Sequence, residues 1–310
     1  MSLIEQAARR LEQLRQAGVV VPETDAPSPP SRQAQAAPKP AMPAAYTSKT
    51  VTLDLEALAA KGIVTPNAPR SFIADQYRVV KRPLIANAMS RGEAAVKHSN
   101  LIMVTSALSG EGKSFTSINL ALSIAAEMDH TVMLVDADVA RPSILKVLGL
   151  ESAPGLLEVL EGKADVASTL LRTNVDKLTL LPSGTPHPKA TELLASEAMG
   201  AFLDDIATRY ADRIVIFDSP PLLLTTESRV LASHMGQIVV VVQAGRTLQA
   251  DVQNALATIE SCPIRMMLLN KARAIGKDSY GYGYGYGYGG YGYGYGYGEE
   301  AGAVNAAPKT

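Results

Sequence analysis

The run ALSGEGKS, residues 107–114, sets Lys113 and Ser114 behind the glycines Gly110 and Gly112. An ammonium, a hydroxyl and a turn of small residues opening a helix suit a polyphosphate. The backbone amides and the helix N-terminus would hold anionic oxygens, Lys113 would reach the outer phosphates, and Ser114 would offer its hydroxyl to Mg²⁺. Three carboxylates extend the set: Asp136 and Asp138 close one apolar run and Asp218 closes another. An ion bridging the outer phosphates needs carboxylate help, directly or through water, and Asp218 is expected to give it. Asp136 and Asp138 are two apart at a strand tip, so alternation points them the same way. One would bind metal-bound water while the other accepts a proton, and the residues leave open which does which.

Positioning these groups requires strands that end at them. Residues 101–104 read as a buried strand, followed by the small-residue turn and a helix over 113–127. Further strands are expected at 131–135, 178–181, 214–221, 236–243 and 264–270, with helical stretches at 155–162, 190–210 and 248–260. Strands that are almost continuously apolar and alternate with helices predict an α/β fold, a doubly wound, mostly parallel sheet flanked by helices. Acids at the carboxyl ends of such strands lie where these sheets bind ligands. Ahead of this region, residues 51–66 give a strand-like start and a small helix ended by Gly62, and residues 72–89 give one kinked helix or two short ones around Pro83.

The remainder divides by composition. Of 310 residues, 29 are basic and 30 acidic, with no dense basic block, so nucleic acid is not expected as a partner. The lone Cys262 reads as a small buried apolar residue in a reducing compartment. No apolar run approaches the ~20 residues that span a bilayer, and the charged N-terminus lacks a secretory signal. Residues 1–21 carry Leu3, Ala7, Leu11 and Leu14 at helical spacing, an amphipathic helix suited to docking. Residues 22–50 read as a disordered Pro/Ala-rich linker, 51–275 as the catalytic domain and 276–310 as a flexible Tyr/Gly-rich tail. Nine of the twelve tyrosines lie between 279 and 298. A glycine-rich coil of ~20 residues covers on the order of 25 Å, enough to offer its phenols to a neighbouring subunit.

Several motifs fall in one recognisable order. ALSGEGKS matches the Walker A pattern, with Ala107 where glycine is usual. VDADVARP (135–142) resembles the second Walker element, Walker A′, of the bacterial tyrosine kinases. FDSPP (217–221) resembles their Walker B, and LLPSGTPHPKATELLAS (180–196) their intervening segment. YRVVKRPLIANA (77–88), the N-terminal SLIEQAARRLEQLRQAG and the repeated Tyr-Gly tail further resemble the subgroup encoded with exosortase-linked exopolysaccharide loci.

The resemblance implies a P-loop NTPase fold and an ATP- and Mg²⁺-dependent protein-tyrosine autokinase that acts in trans. Its acceptors would be the tail residues Tyr280, Tyr282, Tyr284, Tyr286, Tyr288, Tyr291, Tyr293, Tyr295 and Tyr297. Catalysis would fall to Lys113, Asp136, Asp138 and Asp218. Nucleotide contacts would come from Ser109, Gly110, Glu111, Gly112, Lys113, Ser114 and Phe115, with Arg141 on the phosphate or interface side and Asn270 at the base; the metal would sit on Ser114, Asp136 and Asp218. The implied partners are a separate membrane polysaccharide copolymerase, further copies of the chain in a homo-oligomeric ring, and a phosphotyrosine phosphatase. The implied location is the cytoplasmic face of the inner membrane, and the implied role is control of exopolysaccharide polymerisation and export. In one place the sequence departs from the family. The acidic residue and two arginines of the family's subunit contact are matched here by Asp75, Arg78 and Lys81, and lysine lacks the planar fork for bidentate pairing. The alternative is a partition or septum-positioning ATPase of the same P-loop branch. Those proteins carry an extra lysine early in the loop, where this chain has Leu108, and they have no use for clustered tyrosines.

Overall fold

A computed structural model describes residues 48–66, 71–92, 95–210 and 212–272. The expected N-terminal helix, nearly all of the linker and the tyrosine tail lie outside the described residues.

The described residues form one eight-stranded sheet. In sequence order the strands are β1 (Lys49–Val51), β2 (Leu101–Ser106), β3 (Thr131–Asp136), β4 (Leu171–Thr173), β5 (Leu178–Leu181), β6 (Arg213–Asp218), β7 (Gln237–Gln243) and β8 (Ile264–Asn270). Their spatial order is β1-β4-β5-β3-β6-β2-β7-β8. All neighbours run parallel except β4 and β5, so β1 and β4 form a reversed margin on a six-stranded parallel core. This is the doubly wound arrangement expected from alternating apolar strands and helices. The connection after β2 leads to one side of it and β7 lies on the other, which makes the carboxyl end of β2 a topological switch point.

Both faces of the sheet are covered, which is why β2 is buried at every position. Its residues alternate between two cores. Leu101 and Met103 pack with Phe217, Phe202, Leu203 and Ile206 on one face, while Ile102 and Val104 pack with Ile118, Leu122 and Leu84 on the other. The first core is closed by α8 (Glu197–Arg209) and the second by α2 (Phe72–Ala88) and α3 (Lys113–Ala125). The remaining helices are short: α1 (Leu55–Ala60), α4 (Ile144–Leu148), α5 (Leu156–Leu160), α6 (Val166–Thr169), α7 (Ala190–Leu194), α9 (Glu227–Ser233) and α10 (Gln249–Ala257).

Some expectations shift. Residues 49 and 50, assigned to the linker from composition, belong to β1 and pair with Leu171 and Arg172. The segment around Pro83 is a single helix, α2. The long helix expected over 190–210 is two helices, because the Ser196 hydroxyl accepts from the Met199 N–H and caps a new start. β4, α4, α6 and α9 were not anticipated.

Candidate active site

The phosphate loop joins β2 to α3 at the switch point. Gly112 is the N-cap of α3 with φ 103°, a left-handed conformation that favours glycine. A Cβ there would lie 2.1 Å from Asn270 Nδ2, so the residue is glycine for space as well as for conformation. The loop is braced from behind. The Glu111 side chain points into the protein, its Oε2 accepting from the Leu108 N–H at 2.7 Å and its Oε1 from the Gln243 N–H and the Thr247 hydroxyl. Asn270 Nδ2 donates to the Glu111 carbonyl at 2.9 Å, and Lys271 Nζ to the Gly110 carbonyl at 2.7 Å. Two of the loop's carbonyls are thereby drawn toward β8.

Around the loop mouth the three acids have different surroundings. Asp138 lies past the end of β3, so strand alternation does not govern it. Its Oδ2 is 3.4 Å from Lys113 Nζ and its Oδ1 accepts from the Arg141 N–H. Asp136 is the last residue of β3, and its Oδ2 accepts from the Ser143 and Ile144 N–H groups at the start of α4, both at 3.0 Å. Asp218, the last residue of β6, is its register partner, and the Asp218 Oδ1 accepts from the Ser117 hydroxyl at 3.0 Å. Ser114 receives a hydrogen bond from the Ser143 hydroxyl at 2.7 Å.

Burial raises the pKa of both strand-end acids. Asp136 is pushed up to about 7 by burial and by the Asp218 charge, against the pull of its two backbone donors. Asp218 is pushed up to about 6 by burial, offset in part by the Ser114 and Ser117 hydroxyls and the Lys113 ammonium. Each keeps one buried oxygen, Asp136 Oδ1 and Asp218 Oδ2, without a hydrogen-bond partner. Two orphaned carboxylate oxygens near a serine hydroxyl are the donor set of a hard, oxygen-seeking cation.

The structure thus brings Lys113, Ser114, Asp136, Asp138 and Asp218 together and sets Ser109, Gly110 and Gly112 in the loop beside them. Glu111 contributes backbone only, its carboxylate being engaged inside the protein. Phe115 packs against the core under α2, and the Arg141 side chain is exposed. Ser117 and Ser143 were not foreseen as site residues. Ser143, a small polar residue between Pro142 and the apolar run ILKVL, carries a helix-start signature that could have identified it.

A family profile described as ParA, NUBPL iron-transfer P-loop NTPase matches residues 97–269, more than half of the chain. The tyrosine-protein kinase CpsD of Streptococcus agalactiae is 34% identical over 181 residues, 56% of this chain and 76% of that protein. The chain belongs to the bacterial tyrosine kinase family. Leu108, at the start of the phosphate loop, packs its side chain on the core. The tyrosine-protein kinase YwqD of Bacillus subtilis is 29% identical over 223 residues, 71% of this chain and 90% of that protein. Some relatives are much longer, and the match covers 26% of the tyrosine-protein kinase wzc of Salmonella typhi. Among solved structures, the kinase domain of the Escherichia coli tyrosine kinase ETK aligns with a TM-score of 0.55 at 25% identity, over 75% of this chain and 98% of that one.

One feature of the subunit contact implied by the sequence is altered. Asp75 and Arg78 are exposed and pair with each other on α2. Lys81, the third member, is buried: its ammonium donates to the Ser123 carbonyl and pairs with Glu127 at 2.7 Å. It is occupied in anchoring the end of α3.

Proposed function

We propose that the protein is an ATP-dependent protein-tyrosine autokinase that phosphorylates the tail tyrosines Tyr280 to Tyr297 in trans. The observation that carries this reading is the phosphate loop whose Lys113 is paired with Asp138 beside two carboxylates that each keep an unpartnered oxygen. In the reaction the loop amides and Lys113 hold the outer phosphates of ATP, and transfer of the γ-phosphoryl group rests on positioning and charge neutralisation. Mg²⁺, held by Ser114, Asp136 and Asp218, would neutralise charge developing on the phosphates. Asp138 lies within reach of the lysine and is suited to steer it or to take the phenol proton.

The density of phenols in the tail supports these acceptors. Of the three tyrosines outside it, Tyr46 lies outside the described residues, Tyr77 is buried in the core under α2, with its pKa raised to about 12 by burial, and Tyr210 is half-buried against Arg213. The tail is the plentiful source of phenols. The same reading includes ring-like homo-oligomers, a phosphotyrosine phosphatase, a separate membrane polysaccharide copolymerase as activator, and a role in exopolysaccharide export at the inner face of the inner membrane within the exosortase-linked subgroup. The relatives named as tyrosine-protein kinases support its kinase part. No helix among the described residues is long and apolar enough to cross a membrane.

The test is incubation with labelled ATP and Mg²⁺. Wild-type protein is expected to gain phosphotyrosine in the 279–298 peptide while Lys113→Ala gains none; equal labelling of Lys113→Ala would overturn the assignment. Mixing Lys113→Ala with an active chain ending at residue 278 separates the routes, since transfer in trans labels the inactive protein.

A further inference from the structure

An apolar groove of about 600 Å³ runs between α2 and β8. Ile73, Val80, Pro83, Met266 and Leu268 line it, with Asn270 at the end nearest the phosphate loop. Around it Phe72, Val79, Met267 and Leu269 are each more than 60% exposed. β8 is the last strand of the sheet and pairs with β7 alone, so the outward backbone groups of its free edge have no ladder partner among the described residues. A bare edge strand beside an exposed apolar patch is an interaction site or an aggregation liability.

We infer that a stretch of the Tyr-Gly segment 280–297 of the same chain, about as long as the seven-residue β8, lies in this groove along that strand. Position is the first reason. The chain leaves the described structure at residue 272, two residues beyond Asn270, and 38 residues follow. The seven residues 273–279 reach roughly 23 to 25 Å when extended, enough to turn the chain back along the strand. The other end of the chain enters at Ser48, next to β1 on the opposite margin. That margin is seven strand spacings away, on the order of 34 Å. The tail thus joins the described chain beside the groove, whereas residues 1–47 join it at the opposite margin.

Chemistry is the second reason. Tyrosine at every second position places all rings of a run on one face of an extended segment and glycine on the other. The rings supply apolar area for the groove, Gln76 offers a partner to a phenol hydroxyl, and the glycines let the backbone approach the β8 edge closely. On its own the tail has nothing to pack on; the groove provides it. None of the side chains lining the groove is charged. A phosphate brings about -1.5 to -2 of charge into a lining that carries none, with Arg265 on the strand and Lys271 just past it both outside that lining, so the groove favours the unmodified tail over the phosphorylated one. Docking stands independently of the kinase reading, whereas the consequence that tail phosphorylation controls docking rests on that reading.

The test uses the full chain carrying Lys113→Ala, which keeps the tail unmodified. A photo-crosslinking p-benzoylphenylalanine replaces the exposed Met267, and the products are mapped by mass spectrometry on an equal mixture of ¹⁴N- and ¹⁵N-labelled protein. The expected result is crosslinks from position 267 to the 279–298 peptide within single molecules. Val79→Glu combined with Leu269→Glu, both at exposed sites, should cut the yield at least fivefold. Replacing Tyr280 and the eight tail tyrosines after it with glutamate should cut it at least tenfold. Crosslinks to residues 1–47, crosslinks only between differently labelled copies, or no tail crosslinks would each overturn the docking. A yield unchanged by the glutamate tail would overturn the charge discrimination. Neither arm requires the protein to phosphorylate anything, so a failure here is distinct from a failure of the kinase assay.

Discussion

Replacing Asp136 by asparagine should make the metal-free protein more stable while disabling it. In the folded chain this carboxyl titrates near 7, against an ordinary value of 3.8, chiefly because it is buried and next because Asp218 is its neighbour. The raised pKa means that the folded state holds the proton more tightly than the unfolded state. The wild-type protein is therefore unpenalised below about pH 4, loses stability as pH rises from there to about 7, and is level above that. A shift of about three units corresponds to a ceiling of roughly 4 kcal/mol. Asp218, itself raised to about 6, shares that repulsion, so a net gain of about 2 kcal/mol is expected from removing one charge. Asparagine keeps an oxygen to accept from the Ser143 and Ile144 N–H groups and puts an amide at the position of the orphaned Oδ1. In EDTA at pH 8 the variant should melt about 4 to 8 °C above wild type, given 2 to 4 °C per kcal/mol for a domain of this size. At pH 5 most of that gain should disappear. Mg·ADP should raise the wild-type Tm and barely move the variant's. A gain independent of pH, or no gain at pH 8, would refute the assignment of strain to this carboxylate pair.

Other outcomes follow from the same geometry. Glu111→Gln should destabilise the protein by about 1 to 3 kcal/mol by weakening three hydrogen bonds to a buried carboxylate, and should raise the KM for ATP by loosening the loop; urea melts and steady-state kinetics check both. Gly112→Ala combines a left-handed φ with a clash at Asn270, so nucleotide binding by calorimetry should fall at least tenfold. Lys81→Met leaves the Ser123 carbonyl and the Glu127 carboxylate without their donor, costing about 1 to 3 kcal/mol in denaturant melts, while oligomer mass by light scattering should stay unchanged because Lys81 faces inward. Ser196→Ala should cost about 1 kcal/mol by removing the cap that starts α8.

Sequence reasoning succeeded where a single physical signal dominated. The strands at 178–181 and 264–270 match β5 and β8 residue for residue, because short apolar runs closed by Pro, Ser, Gly or Asn leave little choice of boundary. Lys113, Ser114 and the strand-end acids were legible because the phosphate loop's spacing is local. What escaped depends on contacts distant in sequence. Ser117 bonds Asp218 across 101 positions, and the inward turn of Glu111 is set by Thr247, 136 positions away. Lys81, matched in sequence to a subunit-contact arginine, turns inward because Ser123 and Glu127, 42 and 46 positions on, receive its ammonium. β4 has only three residues, too few for any periodicity to show, and its partners β1 and β5 come from well before and just after it.

The tie between Lys271 and the Gly110 carbonyl bears on how the molecule is handled at the bench. It places a structural fastener of the nucleotide site one residue past the final strand, where a tail would ordinarily be trimmed to obtain a better-behaved protein. A chain cut at 270 retains every strand yet loses that fastener, and would be misread as proof that the tyrosines assist ATP binding. Deletions intended to probe the tail should therefore begin no earlier than residue 273, and affinity tags at this end need a spacer that leaves Asn270 and Lys271 undisturbed.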